Sequence, residues 1–376
     1  MGAWSAERVL CDVEHVVARG LPRDELHREL AARLRRAFPF DAACWHGLDP
    51  DTLLLTTANP EELHAHGFLT EETEPLAAES VLSSEYIRPD VNTFTQLAHR
   101  RAPVGILTHA TRARPERSPR FVDFLSLRGT PYEMRAVFRA RGRAWGCIVL
   151  HRAEETGDFT PADARLLARL SRPIAEGIRS TLRVDAARRE HEDGGPGLVV
   201  LDPGDQPVLI NASANALLEL FPPSRGARES VPFAIRTVAA SARRSGKTQA
   251  LHIPTRSGWL LLHASLPEGR SYGQVAMVLQ PARGEKALQL SLETVGLTRR
   301  EREVATLVIR GASTKMISER LFLSPWTVQD HLKAIFDKTG TRSRRDLRAL
   351  AFVNDCLPGM LARAPLDADG HLVRTT

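Results

Sequence analysis

Residues 297–350 read LTRREREVATLVIRGASTKMISERLFLSPWTVQDHLKAIFDKTGTRSRRDLRAL. The stretch is built of four short, separately capped helices. Thr298 followed by Glu301 is a capping box, in which a hydroxyl and a carboxylate each satisfy an orphan N–H. Val304, Leu307 and Val308 then recur at helical spacing, and Gly311 supplies a left-handed stop. A second helix starts at Ser313 and places Met316, Ile317 and Leu321 on one face. Ser324 with Pro325 behind it is a strong start for a third. Its inner face is Val328, Leu332 and Ile335, Lys338 sits in its last turn against the helix dipole, and Gly340 ends it. The fourth, roughly residues 343–352, packs Leu347, Leu350 and Ala351. Helices this short are marginal alone, so each needs the apolar face of the others.

Charge concentrates on the same segment. It carries nine Arg and three Lys against six acidic residues, a net of +6, and the whole chain is also +6, so the remainder is about neutral. Of the lysines, Lys315, Lys333 and Lys338 lie here. A positive field confined to one small module suits neutralisation of phosphates.

The motifs Leu297-Thr298-Arg299-Arg300-Glu301-Arg302-Glu303-Val304, Gly311/Ser313/Lys315/Ile317, Leu323-Ser324, Thr327-Val328, His331, Lys338/Gly340 and Ser343-Arg344 together resemble the helix-turn-helix domain of LuxR-type transcription regulators. The resemblance implies that the third helix enters the major groove of double-stranded DNA, with Gln329, Asp330 and Lys333 at base edges. It also implies phosphate contacts at Ser313, Lys315, Thr327, His331, Ser343 and Arg344, contacts that fix register without reading sequence. At Gln329–Asp330 the chain departs from the family, where a lysine usually follows the Thr-Val pair, so its operator should differ from the common consensus. Gln pairs bidentately with adenine and Asp accepts from cytosine N4. A solvated acid remains an equal reading for Asp330, and helix packing an alternative for His331.

At 376 residues and 43% apolar, the chain is long enough for two or three domains with real cores. Cys11, Cys44, Cys147 and Cys356 are scattered without a C-x-x-C or His pairing, which argues for reduced thiols and against a zinc site. No apolar run approaches a membrane span and no signal peptide is recognisable, so a cytoplasmic protein without membrane contact is expected.

Residues 5–184 open with two helical stretches, the second (Arg23–Phe38) carrying Leu26, Leu30 and Leu34. Short strands follow at Asp41–Gly47 and Leu53–Thr57, joined by the turn cluster Asp49-Pro50-Asp51. After a long middle of helices and loops, Tyr132–Ala140 and Ala144–His151 form a hairpin around Gly142. A long helix then starts with Thr160 as cap, Pro161 and Asp163, and turns Ala164, Leu167, Leu170 and Ile174 to one side. Strand, strand, F-T-P-A-D and long helix are similar to the ending of GAF sensor domains.

Residues 185–196 are a charged linker. Residues 197–282 then run from a hairpin around Pro203-Gly204-Asp205, through Asn211 and a helix, to a second helix at Phe233–Ser245. Candidate strands follow at Gln249–Pro254, Trp259–Ser265 and Val275–Gln280. That order resembles a PAS domain. Residues 283–296 are read as a linker carrying signal through Leu288, Leu290 and Leu292, residues 297–353 as the DNA-binding domain, and residues 354–376 as a mobile tail.

No ligand motif is decisive. His46, His109 and His151 are candidates for a haem or small molecule, though each reads equally as a core or surface histidine. Cys44 and Cys147 read as buried packing residues, Trp45, Trp145 and Tyr132 as core fillers or cavity lining, and Asn211 as a bond to the turn backbone. The pattern of a phosphorelay receiver fails, since the first lysine is Lys247, and no P-loop, H-E-x-x-H or G-x-S-x-G occurs. No catalytic or metal site and no resident cofactor is expected.

The expected fold class is multi-domain α+β, with GAF-like and PAS-like antiparallel-sheet sensor domains followed by an all-α four-helix LuxR-type domain. The expected function is a one-component, dimeric DNA-binding transcription regulator, with RNA polymerase as a further partner. Control comes from a small-molecule effector held by shape or from sensor-domain dimerisation. The alternatives are a chromophore-binding haem or flavin redox sensor, and an interaction protein whose module has lost DNA affinity.

Overall fold

The computed structural model describes residues 6–70, 72–182, 195–221, 231–255, 258–267, 273–282 and 284–351. Most of the expected 185–196 linker, the whole 354–376 tail, Phe352 and Cys356 lie outside the described residues. Contacts divide the chain into two compact units: residues 1–181, 196–253 and 261–280 form one, and residues 182–195, 254–260 and 281–376 the other.

The larger unit is organised by two five-stranded sheets. The first follows helices α1 (Ala6–Ala18) and α2 (Arg23–Ala37) and contains β1 (Ala42–Leu48), β2 (Leu55–Asn59), β3 (Val104–Ile106), β4 (Tyr132–Ala140) and β5 (Arg143–Arg152). Its order is β2-β1-β5-β4-β3, antiparallel throughout. Between β2 and β3 lie α3 (Glu61–Ala65), α4 (Glu74–Leu82), a π-helical turn at Ser83–Ile87 and α5 (Phe94–His99). Helix α6 (Leu107–Ala110) and a second π-helical turn, Phe121–Leu125, precede β4. Helix α7 (Pro161–Thr181) starts with the expected reciprocal cap between Thr160 and Asp163.

Helices α1, α2 and α7 layer together, with α7 across β4 and β5. Leu26, Leu30 and Leu34 of α2 and Leu167, Leu170 and Ile174 of α7 are all buried, as their spacing implies, whereas Ala164 is only half-buried. The crossing of α1 and α7 depends on Gly177, where an added Cβ would stand 2.8 Å from a methyl of Val17.

The second sheet comprises β6 (Gly197–Leu201), β7 (Pro207–Ile210), β8 (Gln249–Thr255), β9 (Gly258–Ser265) and β10 (Val275–Pro281), with α8 (Ala212–Leu218) and α9 (Phe233–Ser245) between β7 and β8. Its order, β7-β6-β10-β9-β8, repeats that of the first sheet strand for strand. Asn211 caps α8 by accepting from the Ala214 N–H, while its amide donates to the Pro196 carbonyl, so its polar atoms serve the backbone. Cys44 and Cys147 are buried on β1 and β5, and Cys11 is exposed.

In the smaller unit, α10 (Gly284–Thr294) precedes α11 (Arg299–Ile309), α12 (Thr314–Leu321), α13 (Pro325–Thr339) and α14 (Arg344–Ala351). The expected linker 283–296 is thus largely helical, and Leu292 and Leu288 pack onto the same core as Val304, Ile317, Val328, Leu332, Ile335 and Leu347. Two other expectations fail. Met316 is 57% exposed and Leu350 38%. Met316 precedes the wholly buried Ile317 by one residue, about 100° around the helix, and short α12 buries too narrow a stripe to include both.

Candidate functional site

The termini of the smaller unit are fixed as the caps dictate. Thr298 accepts from the Glu301 N–H, and the Glu301 carboxylate accepts from the Thr298 N–H. That carboxylate also receives the Lys338 ammonium at 2.6 Å, tying the end of α13 to the start of α11. Burial alone would raise the Glu301 carboxyl, but the Lys338 ammonium and the Thr298 N–H outweigh it and hold it below the usual carboxylate range. Ser313 caps α12, Ser324 caps α13 and Ser343 caps α14 through N–H donors three residues on.

This frame turns one side of α13 outward. Gln329, Asp330 and Lys333 are exposed while Val328, Leu332 and Ile335 face the core. The exposed set recurs at i, i+1 and i+4, one helical face. Trp326, 84% exposed, continues the stripe towards the N-terminus, and Phe322, 94% exposed in a left-handed conformation, stands at the turn before it. Lys315 is exposed on α12, Ser313 is exposed, and Thr327, His331 and Ser343 are half-buried. Arg344 is braced, its guanidinium donating to the Ala312 carbonyl at 2.9 Å and the Thr314 hydroxyl at 2.7 Å. Helix N-termini at Ser313, Ser324 and Ser343 present N–H groups of the kind that hold phosphates.

The larger unit contains a cavity of about 320 Å³. Side chains alternate across the first sheet, so Cys44 and His46 of β1, Glu133 and Arg135 of β4, and Val149 and His151 of β5 line it. Trp45 points to the opposite face, stacked on His27 at 4.7 Å and tilted against Phe138. Leu63, Leu69, Val81, Phe124 and Leu125 contribute apolar wall, and Phe221, Phe233 and Ala234 close it from the elements of the second sheet. Helix α9 is held there by Arg236 on Glu79 and by Arg244 on the Glu85 carbonyl, each at 2.8 Å.

Behind this wall runs a buried ion network. Arg120 binds Glu133 at 2.7 Å and Asp90 at 2.9 Å, and Arg135 binds Glu85 at 2.7 Å and Glu133 at 3.1 Å. Burial opposes ionisation of Glu133, but the two guanidiniums prevail and hold its carboxyl at about 2. Burial, reinforced by Arg135, holds the His46 imidazole at about 3. Burial and both arginines hold His151 at about 4 against the pull of Glu133. Both rings are therefore neutral at pH 7. Nδ1 of His151 meets no partner atom, and at His46 the nearest group, the Thr57 backbone, falls outside good bonding geometry.

Of the histidines singled out in the sequence, His46 and His151 line the cavity and His109 is exposed on α6. Trp45, Trp145 and Tyr132 do not line it. Sequence reasoning missed Arg120, Glu133 and Arg135. A signal was present in β4, where YEMRAVFRA places Glu133 and Arg135 on one face between apolar neighbours of the other. Asp49, Asp51 and His252 also converge, but the Asp49 carboxylate is already occupied by the His252 N–H and ring and the Thr52 hydroxyl, so the group reads as a latch between the sheets.

Four capped helices around one core, with an outward polar stripe on the third, define a helix-turn-helix module. Residues 295–351 match the family described as bacterial regulatory proteins, luxR family. A LuxR-type helix-turn-helix domain therefore occupies the C-terminal part of the chain. The putative HTH-type transcriptional regulator Rv0890c of Mycobacterium tuberculosis is 51% identical over 51 residues, 14% of this chain and 6% of that protein. The spore germination protein GerE of Bacillus subtilis is 42% identical over 48 residues, 13% of this chain and 65% of that protein. The chain thus spans only part of these relatives. Among solved structures, the Vibrio cholerae VqmA dimer is 18% identical and covers 46% of this chain and 89% of its own, with a TM-score of 0.19. The E. coli DhaR(N)–DhaL complex is 13% identical and covers 73% of this chain and 87% of its own, with a TM-score of 0.20. At these scores the likeness says nothing of this chain's arrangement. Among the described residues no helix is long and apolar enough to cross a membrane.

Proposed function

We propose that the protein is a one-component transcription regulator that binds operator DNA through α13 and takes its signal from an effector in the cavity of the larger unit. One observation carries the DNA-binding half: Gln329, Asp330 and Lys333 stand exposed on one face of a capped helix inside the module that matches the LuxR family. The repeated strand order of the two sheets supports reading them as GAF-like and PAS-like domains. A symmetric homodimer would set two copies of α13 on half-sites ~10 bp apart. The capping hydroxyls of Ser313 and Ser343 accept from their helices and keep a proton to donate to phosphate. Lys315 supplies charge, Thr327 and His331 flank the groove, and Arg344 positions the start of α12. Genome-wide mapping of bound sites is expected to return a two-fold-related motif upstream of regulated genes, and the absence of any enriched site refutes the reading.

Two substitutions separate readout from anchoring. Gln329→Ala is expected to weaken operator binding by roughly 1–3 kcal/mol and relax preference at one base pair. An equal loss on random duplex, measured by competition binding, removes Gln329 from readout. Lys315→Ala is expected to weaken every sequence alike and to reduce the slope of log K against log salt by about 0.9. An unchanged slope shows that Lys315 touches no phosphate.

A further inference from the structure

The cavity specifies the chemistry of its occupant, and this step rests on the effector reading above. Its lining carries the guanidiniums of Arg23, Arg120 and Arg135 and the carboxylates of Asp24, Glu61, Glu74 and Glu133. The two deepest cations are already held, Arg120 by Asp90 and Glu133, and Arg135 by Glu85 and Glu133. An entering anion finds carboxylates in the majority, and of the three guanidiniums only Arg23, half-buried beside Asp24, stands outside the ion network. An entering cation meets two guanidiniums at the floor. Either charge would also have to give up part of its hydration in a cavity whose deepest charges are already paired with one another.

Polar capacity is nonetheless left over. His46 is buried with neither ring nitrogen in a well-formed hydrogen bond, the Thr57 backbone standing nearest, and in the neutral ring one nitrogen is a donor and one an acceptor. His151 adds an unbonded Nδ1. A buried polar atom without a partner is costly, so a ligand that bonds it recovers that cost. Close to His46 the contacts are aromatic, the Phe94 and Phe233 rings standing 5.7 and 6.2 Å from its ring. The volume lies at the lower end of small-molecule sites.

We infer that the cavity binds an uncharged, largely apolar small molecule carrying a hydrogen-bonding group that meets the imidazoles of His46 and His151, with α9 closing over it. Because α9 belongs to the second sheet's elements, occupancy is felt by both sheets of the unit.

Two probes that differ only by a sulfonate test this on the full chain. N-phenyl-1-naphthylamine is neutral with a single N–H, and 8-anilino-1-naphthalenesulfonate is the same skeleton with a fixed negative charge. Fluorescence titration is expected to show the neutral probe bound at least tenfold tighter. Ala77→Trp and, independently, Val81→Phe fill the cavity from α4 and are expected to weaken the neutral probe at least tenfold, with folding checked by circular dichroism. His46→Leu is expected to weaken it about tenfold. If the sulfonate binds as well or better and both filling variants abolish it, the cavity is a ligand site but the uncharged class is overturned. Neutral-probe binding indifferent to His46→Leu overturns the role of that ring. Binding indifferent to both filling variants, or no binding at all, overturns the cavity as a small-molecule site and the effector reading with it.

Discussion

Acidification from pH 7 to pH 4.5 is expected to unfold the larger unit. Burial holds the imidazoles of His27 and His46 at about 3 and of His151 at about 4, in each case with help from neighbouring positive charge. In the unfolded chain all three titrate near their ordinary value of about 6.5. Below that pH the unfolded state binds protons that the folded state refuses, so stability is complete above about 6.5 and falls as pH drops towards 4. Each histidine contributes about 1.4 kcal/mol per pH unit. Between pH 6.5 and 4.5 the three together reach roughly 8 kcal/mol, comparable with the whole stability of a domain at about 5–15 kcal/mol. Glu133 acts in a lower window. Its carboxyl, held at about 2, keeps its contribution above the ordinary glutamate range and loses it only as pH falls towards 2. Tryptophan fluorescence of the full chain during a pH titration reads the transition through Trp45, which stacks on His27. His27→Phe should move the midpoint to lower pH. A native signal persisting to pH 4.5 means that the folded unit accepts these protons, and the account of burial fails.

Arg120→Met is the second large expectation, a loss of about 3–5 kcal/mol in urea unfolding. The Arg120 guanidinium is within bonding distance of Glu133 and Asp90 and also donates to the Val91 carbonyl at 2.8 Å. Removing it leaves the Asp90 carboxylate, fully shielded from solvent, without its counter-charge. Glu133 keeps only Arg135, a cation it shares with Glu85. The cost arises from the stranded charges more than from lost attraction, so the double variant Arg120→Met with Asp90→Asn should recover part of it. A loss below about 1 kcal/mol means that water reaches these carboxylates, since exposed ion pairs contribute no more than that.

The helix-turn-helix module was legible because its signals are local. Thr298 with Glu301, Ser324 with Pro325, and Gly340 each act within one turn of chain, and each does in the structure what its chemistry implies. Most strands were legible for the same reason, as apolar runs bounded by turn residues such as Gly142 and Gly204, whereas the three-residue β3 was not expected. Met316 and Leu350 misled because a helix face read from spacing has no width until its neighbours are known. Of the cavity only His46 and His151 were legible, as candidates to face a small molecule. Its walls come from Arg23, Thr57, Glu133 and Phe233, residues brought together only by sheet formation and by the packing of α9 against β2. Neither His46 nor His151 differs in local sequence from a histidine packed in the core such as His27, and what distinguishes them is their place in the cavity wall.

That part of the enclosure comes from Phe221 and Phe233 bears on how the gene can be cut. A truncation ending near residue 184, the natural place to sever the first sheet from the second, would remove one side of the chamber. The fragment would be left with an open apolar trough along Leu63, Leu69 and Val81, prone to clumping and blind to any inducer. Dissection of this protein should keep residues 1–282 together, and a silent shorter fragment would say nothing about whether the intact chain responds.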